Sequence, residues 1–185
     1  MKTTLPCSVP CRSRSGEERP FTFRCCTEAD LPDILALQEE VIAALPDPSL
    51  FVRTTAEEIT ESLTLDFCIG AFYGETLAGF SLMVIGRITP RNLGNLLGYD
   101  EARLCRTVTC DTTFVSPRCR GWGLQRQFFT LREAAARSMG ATEALTTISP
   151  DNDASLANAH KSGFKAVAKR TMYSGVERLL LKKEL

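Results

Sequence analysis

The stretch Val115-Ser-Pro-Arg-Cys-Arg-Gly-Trp-Gly-Leu-Gln-Arg126 has the residue types of an anion-binding loop. Gly121 and Gly123 let the backbone approach a bulky ligand closely, because glycine has no side chain. An amphipathic helix is predicted directly after them, and the first N–H groups of a helix have no partner within it. Together with the helix dipole, these amides favour phosphate. Residues 118–137 also contain five arginines and one acid, an excess that favours a polyanionic ligand.

Other interpretations of the same glycines predict different chemistry. Gly121 and Gly123 would also suit a tight turn that binds nothing. A dinucleotide fingerprint requires a glycine three residues after Gly123, where Arg126 stands. A Walker loop requires Gly-Lys-Ser or Gly-Lys-Thr, which the sequence does not contain. The stretch therefore predicts a phosphate site of another kind, or a simple turn.

The same segment resembles the coenzyme A signature of the GCN5-related N-acetyltransferases, the GNAT superfamily. That signature reads Gln/Arg-x-x-Gly-x-Gly/Ala after a strand that ends near Val-x-Pro. Arg120, Gly123 and Gln125 match it in order, with Val115 and Pro117 at the usual lead. Gln125 departs from the small residue that normally closes the signature, although Gly-Leu-Gln is similar to a known variant.

A second segment supports the resemblance. Asn152-x-x-Ser155 followed by Lys161-Ser-Gly163-Phe164 is similar to the Asn-x-x-Ala…Lys-x-Gly-Phe segment of the family. The resemblance extends over about residues 21–181. It implies an α/β (α+β) GNAT fold, in which a mixed, mostly antiparallel, splayed sheet flanked by helices grips acetyl-CoA.

The resemblance also implies which residues bind the cofactor. The backbone of residues 113–115 would pair with the pantetheine arm, and the amides of residues 121–126 would hold the pyrophosphate. Asn152 would reach the pantetheine or thioester, or would only cap a helix. Trp122 would cover the adenine or pack the loop. The full set is Thr113, Phe114, Val115, Arg120, Gly121, Trp122, Gly123, Leu124, Gln125, Arg126 and Asn152.

The implied activity is acetyl transfer from acetyl-CoA to a primary amine by direct attack in a ternary complex. A backbone amide of the central strand would polarise the thioester carbonyl, as an oxyanion hole does. Many relatives protonate the leaving thiolate with a tyrosine seven residues after the asparagine, where this sequence has Ala159. Its tyrosines, Tyr73, Tyr99 and Tyr173, lie elsewhere in the sequence.

Asp111 is the candidate general base. It is the only carboxylate within eight residues before Val115. Strand alternation predicts that Asp111, Thr113 and Val115 share one face. A structural role for Asp111 stays open. His160 has a suitable titration range but is predicted to lie on the surface.

Hydrophobic periodicity and capping residues predict the elements that position these groups. A strand at 21–24 precedes helices that start at the capping residues Thr27 and Thr55. A hairpin follows at 67–73 and 77–87, and residues 92–98 are predicted as a loop or short helix. The later elements are a strand at 106–115, a helix at 123–139, a strand at 144–148, a helix at 153–162, and a hairpin at 164–173 and 176–181.

Composition limits the class of protein. The 185 residues carry 22 basic and 22 acidic side chains, a balance that argues against nucleic-acid binding. No apolar run is long enough to span a membrane. One histidine and eight cysteines without a C-x-x-C pair favour reduced core thiols, no metal and a cytoplasmic protein. Residues 1–20 are predicted as a disordered leader, with a transit peptide as the alternative, and residues 21–185 as one GNAT domain.

The sequence thus leaves three functions open. The first is an N-acetyltransferase that acts, as a monomer or homodimer, on acetyl-CoA and an amine acceptor. The second is a non-catalytic acyl-CoA sensor with the same fold. The third is a domain that uses the sheet only for protein contacts and does not bind coenzyme A.

Overall fold

A computed structural model describes residues 5–13, 15–47, 50–172 and 175–185. The strands are β1 (Cys7–Arg12), β2 (Glu18–Cys25), β3 (Phe67–Tyr73), β4 (Thr76–Val84), β5 (Thr107–Val115), β6 (Glu143–Ile148), β7 (Lys165–Met172) and β8 (Val176–Glu184). The helices are α1 (Leu31–Ala43), α2 (Ala56–Leu65), α3 (Glu101–Leu104), α4 (Leu124–Ser138) and α5 (Asp153–Lys161).

All eight strands form one mixed sheet with the order β1-β2-β3-β4-β5-β6-β8-β7. Neighbouring strands are antiparallel except β5 and β6, which are parallel. The chain connects β5 to β6 through α4, because parallel strands require a crossover. This sheet and its helices confirm the predicted α/β (α+β) class.

Helices cover both faces of the sheet. On one face, α1 and α2 bury Ile34, Leu37 and Ile59 against a cluster that includes Phe80 and Phe114. On the other face, α4 and α5 bury the residues Phe128, Leu131, Ala136 and Ala159 against β2, β3, β5 and β6. β5 is therefore covered on both sides and lies at the centre of the sheet.

Local signals in the sequence predicted most helix ends correctly. Thr27 with Asp30, and Thr55 with Glu58, form reciprocal capping boxes before the first two helices. Gly140 follows the end of α4 with φ of +81°, a conformation that favours glycine. A short 3-10 helix at Leu93–Leu97 realises the predicted loop or short helix.

The strand predicted at 77–87 is shorter in the structure and ends at Val84. A Cβ at Gly86 would lie 2.4 Å from the carbonyl oxygen of Cys105. The chain therefore leaves the sheet at a point where the backbones of Gly86 and Cys105 are too close to leave room for a side chain at position 86. The short helix α3 follows in a segment for which no helix was predicted.

The N-terminal segment differs from the predicted disordered leader, because Cys7–Arg12 forms the edge strand β1. It pairs antiparallel with β2, from Cys7 opposite Phe23 to Arg12 opposite Glu18. Cys11 is buried in the core cluster that contains Phe21. Pro10 concealed this strand, but an edge strand tolerates a residue that cannot donate a hydrogen bond.

Candidate functional site

A cleft opens between β5 and β6 in the middle of the sheet. The two strands pair only from Thr107 opposite Glu143 to Thr109 opposite Leu145. At the next step the Thr146 hydroxyl donates a hydrogen bond to the Cys110 carbonyl at 2.8 Å. Beyond this point the strands diverge and line a cavity of about 360 Å³. The edge of β5 that faces β6 is therefore open to a ligand, which can add to it as a strand.

A β-bulge in β5 determines which side chains face each side of the cleft. Ser81 pairs with Thr113 and Met83 with Cys110, so two residues of β5 lie opposite Leu82. Asp111 and Thr112 consequently both face the α1–α2 side, where Thr112 contacts Thr54 at 2.8 Å.

Thr113 instead faces α4, where its hydroxyl accepts a hydrogen bond from Arg132 at 2.9 Å. The predicted alternation, with Asp111 and Thr113 on one face, is therefore wrong. A bulge adds one residue to one strand and so reverses the side-chain direction that follows it.

The predicted anion-binding loop lies at the C-terminal end of β5. Gly121 and Gly123 have φ of +85° and +75°, and a Cβ at either position would meet no atom within 4 Å. Both glycines are exposed. α4 begins directly after Gly123 and has no side-chain cap. The amides of its first turn therefore present a positive dipole end to the surface, which suits an anion.

The polar residues of the predicted cofactor set border this region. Arg120 and Arg126 are exposed beside the loop. Gln125 and Asn152 both line the cleft. The side-chain oxygen of Gln125 accepts a hydrogen bond from the Asn158 side chain at 2.6 Å, which connects α4 to α5. The side-chain oxygen of Asn152 caps α5 by accepting a hydrogen bond from the Ser155 amide at 3.0 Å, as the capping alternative expected.

The apolar members of the set point into the core. Trp122 is buried against Phe21, with the Arg19 guanidinium 4.6 Å from its ring. This packing contradicts a role for its side chain over an adenine. Leu124 is buried in the same cluster, and Phe114 packs against Phe80 on the other face. Only the backbones of these residues are available to a cofactor.

Asp111 lines the cleft and forms an ion pair with Arg91 at 2.6 Å. Burial raises the pKa of the Asp111 carboxyl above its ordinary value, and the bond to Arg91 opposes this rise. Asp66 holds Arg91 from its other side at 3.6 Å. Glu58 is a second carboxylate that lines the cleft.

Sequence reasoning missed Arg91 and assigned Arg132 only to the charge excess of the loop region. Arg91 reaches Asp111 across 20 positions, and Arg132 reaches Thr113 across 19. No local pattern indicates contacts at such separations. The Thr-Cys-Asp-Thr-Thr run in a buried strand was the one available signal, because polar residues in a central strand need partners.

A side-chain acid for the leaving group is not found on α5. Ala159 is fully buried in the core, so its position does not face the cleft. Tyr99 bonds Glu143 at 3.1 Å and Tyr73 packs on Phe21, whereas Tyr173 lies outside the described residues. His160 is exposed, and its Nδ1 bonds the Phe164 carbonyl at 3.0 Å, which agrees with the predicted surface position.

Within the described ranges, no three His, Cys, Asp or Glu side chains are grouped to hold a metal ion. All eight cysteines are free. No helix in the described part of the chain combines the length and apolar character needed to cross a bilayer.

Comparison with known proteins identifies the architecture. No protein-family model matches the sequence, and no curated protein sequence matches it. The structure resembles the GNAT domain of Streptomyces lividans PAT, with a TM-score of 0.68, 16% identity, and coverage of 96% of this chain and 97% of the other. The chain has the GNAT fold.

Two structures of N-acetyltransferases also resemble it. The ribosomal-protein-S18-alanine N-acetyltransferase from Escherichia coli matches with a TM-score of 0.66 and 14% identity, over 89% of this chain and 93% of the other. The PaiA N-acetyltransferase from Thermoplasma acidophilum, solved in complex with coenzyme A, matches with a TM-score of 0.65 and 14% identity, over 89% and 99%. At these identities the comparison shows the GNAT fold alone.

Proposed function

We propose that this protein is an acyl-CoA-dependent N-acetyltransferase that moves an acetyl group from acetyl-CoA to a primary amine of a small molecule or protein. One observation carries the proposal: the open edge of β5 leads, through a short 3-10 helix at Pro117–Cys119, to the Gly121–Gly123 loop and the uncapped start of α4. That arrangement offers a strand-like partner for an amide-containing arm and an anion site at its end.

The cofactor site follows from this arrangement. The amides of residues 121–126 hold the diphosphate, and Arg120 and Arg126 add positive charge nearby. The pantetheine amides pair with the open backbone edge of Thr113, Phe114 and Val115. Asn152 contributes its carboxamide N–H to the pantetheine or thioester end, since its carbonyl is engaged by the Ser155 amide. The reaction uses no metal.

The amine approaches from the α1–α2 side of the cleft, which Asp111 and Glu58 line. A lysine amine with a pKa of about 10.4 costs roughly 4.6 kcal/mol to deprotonate at pH 7. An α-amino group with a pKa near 8 costs only about 1.4 kcal/mol. Asp111 accepts the proton, directly or through water, and its raised pKa makes it a better base than an ordinary aspartate. Positioning of two bound reactants supplies most of the rate.

The alternative is a non-catalytic acyl-CoA sensor. Two observations favour it: Ala159 stands where many relatives have a proton-donating tyrosine, and Asp111, the proposed base, already forms an ion pair with Arg91. To separate the two functions, the protein is incubated with acetyl-CoA and a panel of amines while free thiol is measured. Amine-dependent thiol release supports the enzyme, whereas tight binding without release for every amine supports the sensor. Absence of coenzyme A binding by calorimetry contradicts both.

The cellular setting follows from the sequence. We expect β1 together with residues 21–185 to act as one domain, because β1 belongs to the same sheet, and we expect this domain in the cytoplasm as a monomer or homodimer. Free thiols at all eight cysteines are consistent with a reducing compartment.

A further inference from the structure

Arg132 is a buried cation beside the open edge of β5. It lines the cleft from α4, and only 2% of its surface is exposed. Its Nη1 donates to the Thr113 hydroxyl, and its guanidinium carbon lies 4.9 Å from the centre of the Phe129 ring. Its Nε is buried without a hydrogen-bond partner. A buried donor without a partner is costly, so this position calls for an acceptor that a ligand supplies.

The nearby carboxylates do not neutralise Arg132. Glu133, the next residue on α4, bonds Lys183 of β8 and Arg137. Asp111 of β5 bonds Arg91. Among the described residues, no carboxylate lies within ion-pair distance of Arg132. Arg178 of β8 lines the same cleft and adds positive charge. Because an apolar side chain would fill this site at lower cost, the arginine is best explained by an anion that the cleft receives.

The place of that anion rests on the proposed function. If the diphosphate binds at the loop, the pantetheine arm lies along β5 from Val115 towards Thr113. The sulfur is at the end of the arm that is remote from the diphosphate, so an arm paired with β5 in this direction points its sulfur into the part of the cleft that Thr113 and its bonded Arg132 line. Asp111 lies at the same level, but the bulge places it on the opposite face of the sheet.

We propose that Arg132 is a catalytic residue that stabilises the coenzyme A thiolate as it leaves. The amine nitrogen forms a bond to the thioester carbonyl carbon, and the carbon–sulfur bond breaks with its electron pair on sulfur. The proton of the attacking nitrogen goes to Asp111 and then to water. Arginine keeps its charge in proteins, so Arg132 pairs with the thiolate without transferring a proton to it. This role replaces the acid that Ala159 cannot supply.

The test compares coenzyme A with desulfo-coenzyme A, which lacks the thiol, by calorimetry across a pH series. An alkyl thiol such as that of coenzyme A titrates at or above the pKa of about 8.5 of a cysteine, and a neighbouring cation lowers that pKa by one unit or more. The ratio of the affinity for coenzyme A to that for desulfo-coenzyme A should therefore rise as pH passes through the lowered pKa. Once pH exceeds the ordinary pKa of the free thiol, the ratio should level off at about ten times its value at low pH. A ratio that stays constant with pH in the unmodified protein overturns the role of Arg132 and leaves the acetyltransferase proposal intact.

Two variants assign the effect to this side chain. Arg132→Met should abolish the rise with pH while leaving desulfo-coenzyme A affinity within about twofold, and Arg132→Lys should keep part of the rise. A rise that persists in Arg132→Met overturns the assignment. A second result would also overturn the assignment: succinyl-CoA binds more tightly than acetyl-CoA, and Arg132→Met loses this preference. In that case the guanidinium binds a carboxylate on the acyl group and not the thiolate. Failure of both coenzyme A ligands to bind overturns the inference together with the proposed function.

Discussion

Asp111 and Gly123 are the two residues on which the proposed chemistry depends most directly. Asp111 sits on the bulge of the central strand and forms an ion pair with Arg91. Gly123 forms the junction between the loop and α4 with a left-handed backbone. In the proposed mechanism Asp111 accepts a proton and Gly123 leaves space for the ligand, so substitutions at the two sites should have separable effects.

Asp111→Asn should lower kcat by about 10²–10⁴ and leave coenzyme A affinity nearly unchanged, because only the proton acceptor is lost. In the unmodified protein, kcat/KM should rise with pH through the pKa of Asp111. Burial raises that pKa, so the rise should lie above the range of an ordinary aspartate. Steady-state kinetics with an accepted amine test both statements.

The control for this variant is Glu58→Gln, which removes the other carboxylate of the cleft. Glu58 also accepts from the Thr55 amide in a capping box, so the control should lower stability by about 1 kcal/mol. Near-normal turnover in Asp111→Asn would mean that the amine arrives neutral and that positioning supplies the rate.

Gly123→Val should reduce coenzyme A affinity at least tenfold, because a branched side chain would occupy the space in which the diphosphate approaches the backbone. Gly140→Val is the matched control. Gly140 has a φ of +81° against +75° at Gly123, and a Cβ at either site meets no protein atom within 4 Å. Each variant should therefore lose a similar stability of about 2 kcal/mol.

Calorimetry with coenzyme A and thermal melts of both variants provide the measurement. Gly140 lies at the far end of α4, so its variant should bind normally. If Gly123→Val folds and binds as well as Gly140→Val, the diphosphate site is elsewhere.

At the scale of the elements, β5 carries three functions at once. It pairs with β4 from Thr109 to Val115 on both sides of the bulge, and it pairs only briefly with β6. The bulge directs Asp111 and Thr113, the residue that Arg132 bonds, to opposite faces of the sheet. The sheet is also anchored at points away from the cleft. One such anchor joins β2 to the start of α1.

Asp30 is the carboxylate of that anchor. Arg24 bonds it at 2.6 and 2.9 Å, and the Thr27 amide donates to it at 2.8 Å. The Arg24 bond is the largest cause that lowers the pKa of Asp30 to about 2. A lowered pKa in the folded state adds stability above the unfolded pKa, and this stability disappears as pH falls through the folded pKa.

Asp30→Asn should therefore destabilise the protein by about 2 kcal/mol at neutral pH. The difference from the unmodified protein should shrink as pH falls from about 4 to about 2, where the aspartate takes up its proton. Urea melts of both proteins across this range measure it. A difference that stays constant down to the lowest pH would assign the loss to packing instead of charge.

At the scale of the whole molecule, the cleft between β5 and β6 separates the sheet into two parts. β1 to β5 form one part and β6 to β8 the other, and three residue pairs between β5 and β6 join them directly. A ligand that pairs with β5 and contacts α5 bridges both parts. Binding to the native state alone then stabilises the whole fold.

Acetyl-CoA at 100 times its dissociation constant should stabilise the protein by about 2.7 kcal/mol. For a chain of 185 residues this corresponds to a rise in Tm of about 5–10 °C. Differential scanning calorimetry at several ligand concentrations tests the expectation, and the Gly123→Val variant should show a smaller rise at the same concentrations, because its affinity is lower. An unchanged Tm in the unmodified protein at millimolar coenzyme A would contradict the cofactor assignment.

The sequence by itself determined the features that depend on neighbouring residues. Capping boxes at Thr27 and Thr55, glycines at Gly123 and Gly140, and the periodicity of α4 indicate helix ends because their hydrogen bonds close within one turn. The loop and the order of the elements from β2 onwards, except for α3, were predictable for the same reason. β1 was missed because its proline, Pro10, is unfavourable in most strands and acceptable only at an edge, and the edge position is a property of the whole sheet.

Only the tertiary structure decided the register of the strands and the contacts across them. The bulge at Asp111 exists because Ser81 and Met83 pair with residues three apart in β5, a fact of two strands and not of one. The bonds from Arg91 to Asp111 and from Arg132 to Thr113 likewise join separate elements. Side-chain direction alternates within a strand, but its phase is set by the partner strand, so a single sequence could not place Asp111 and Arg132 on opposite sides of one cleft.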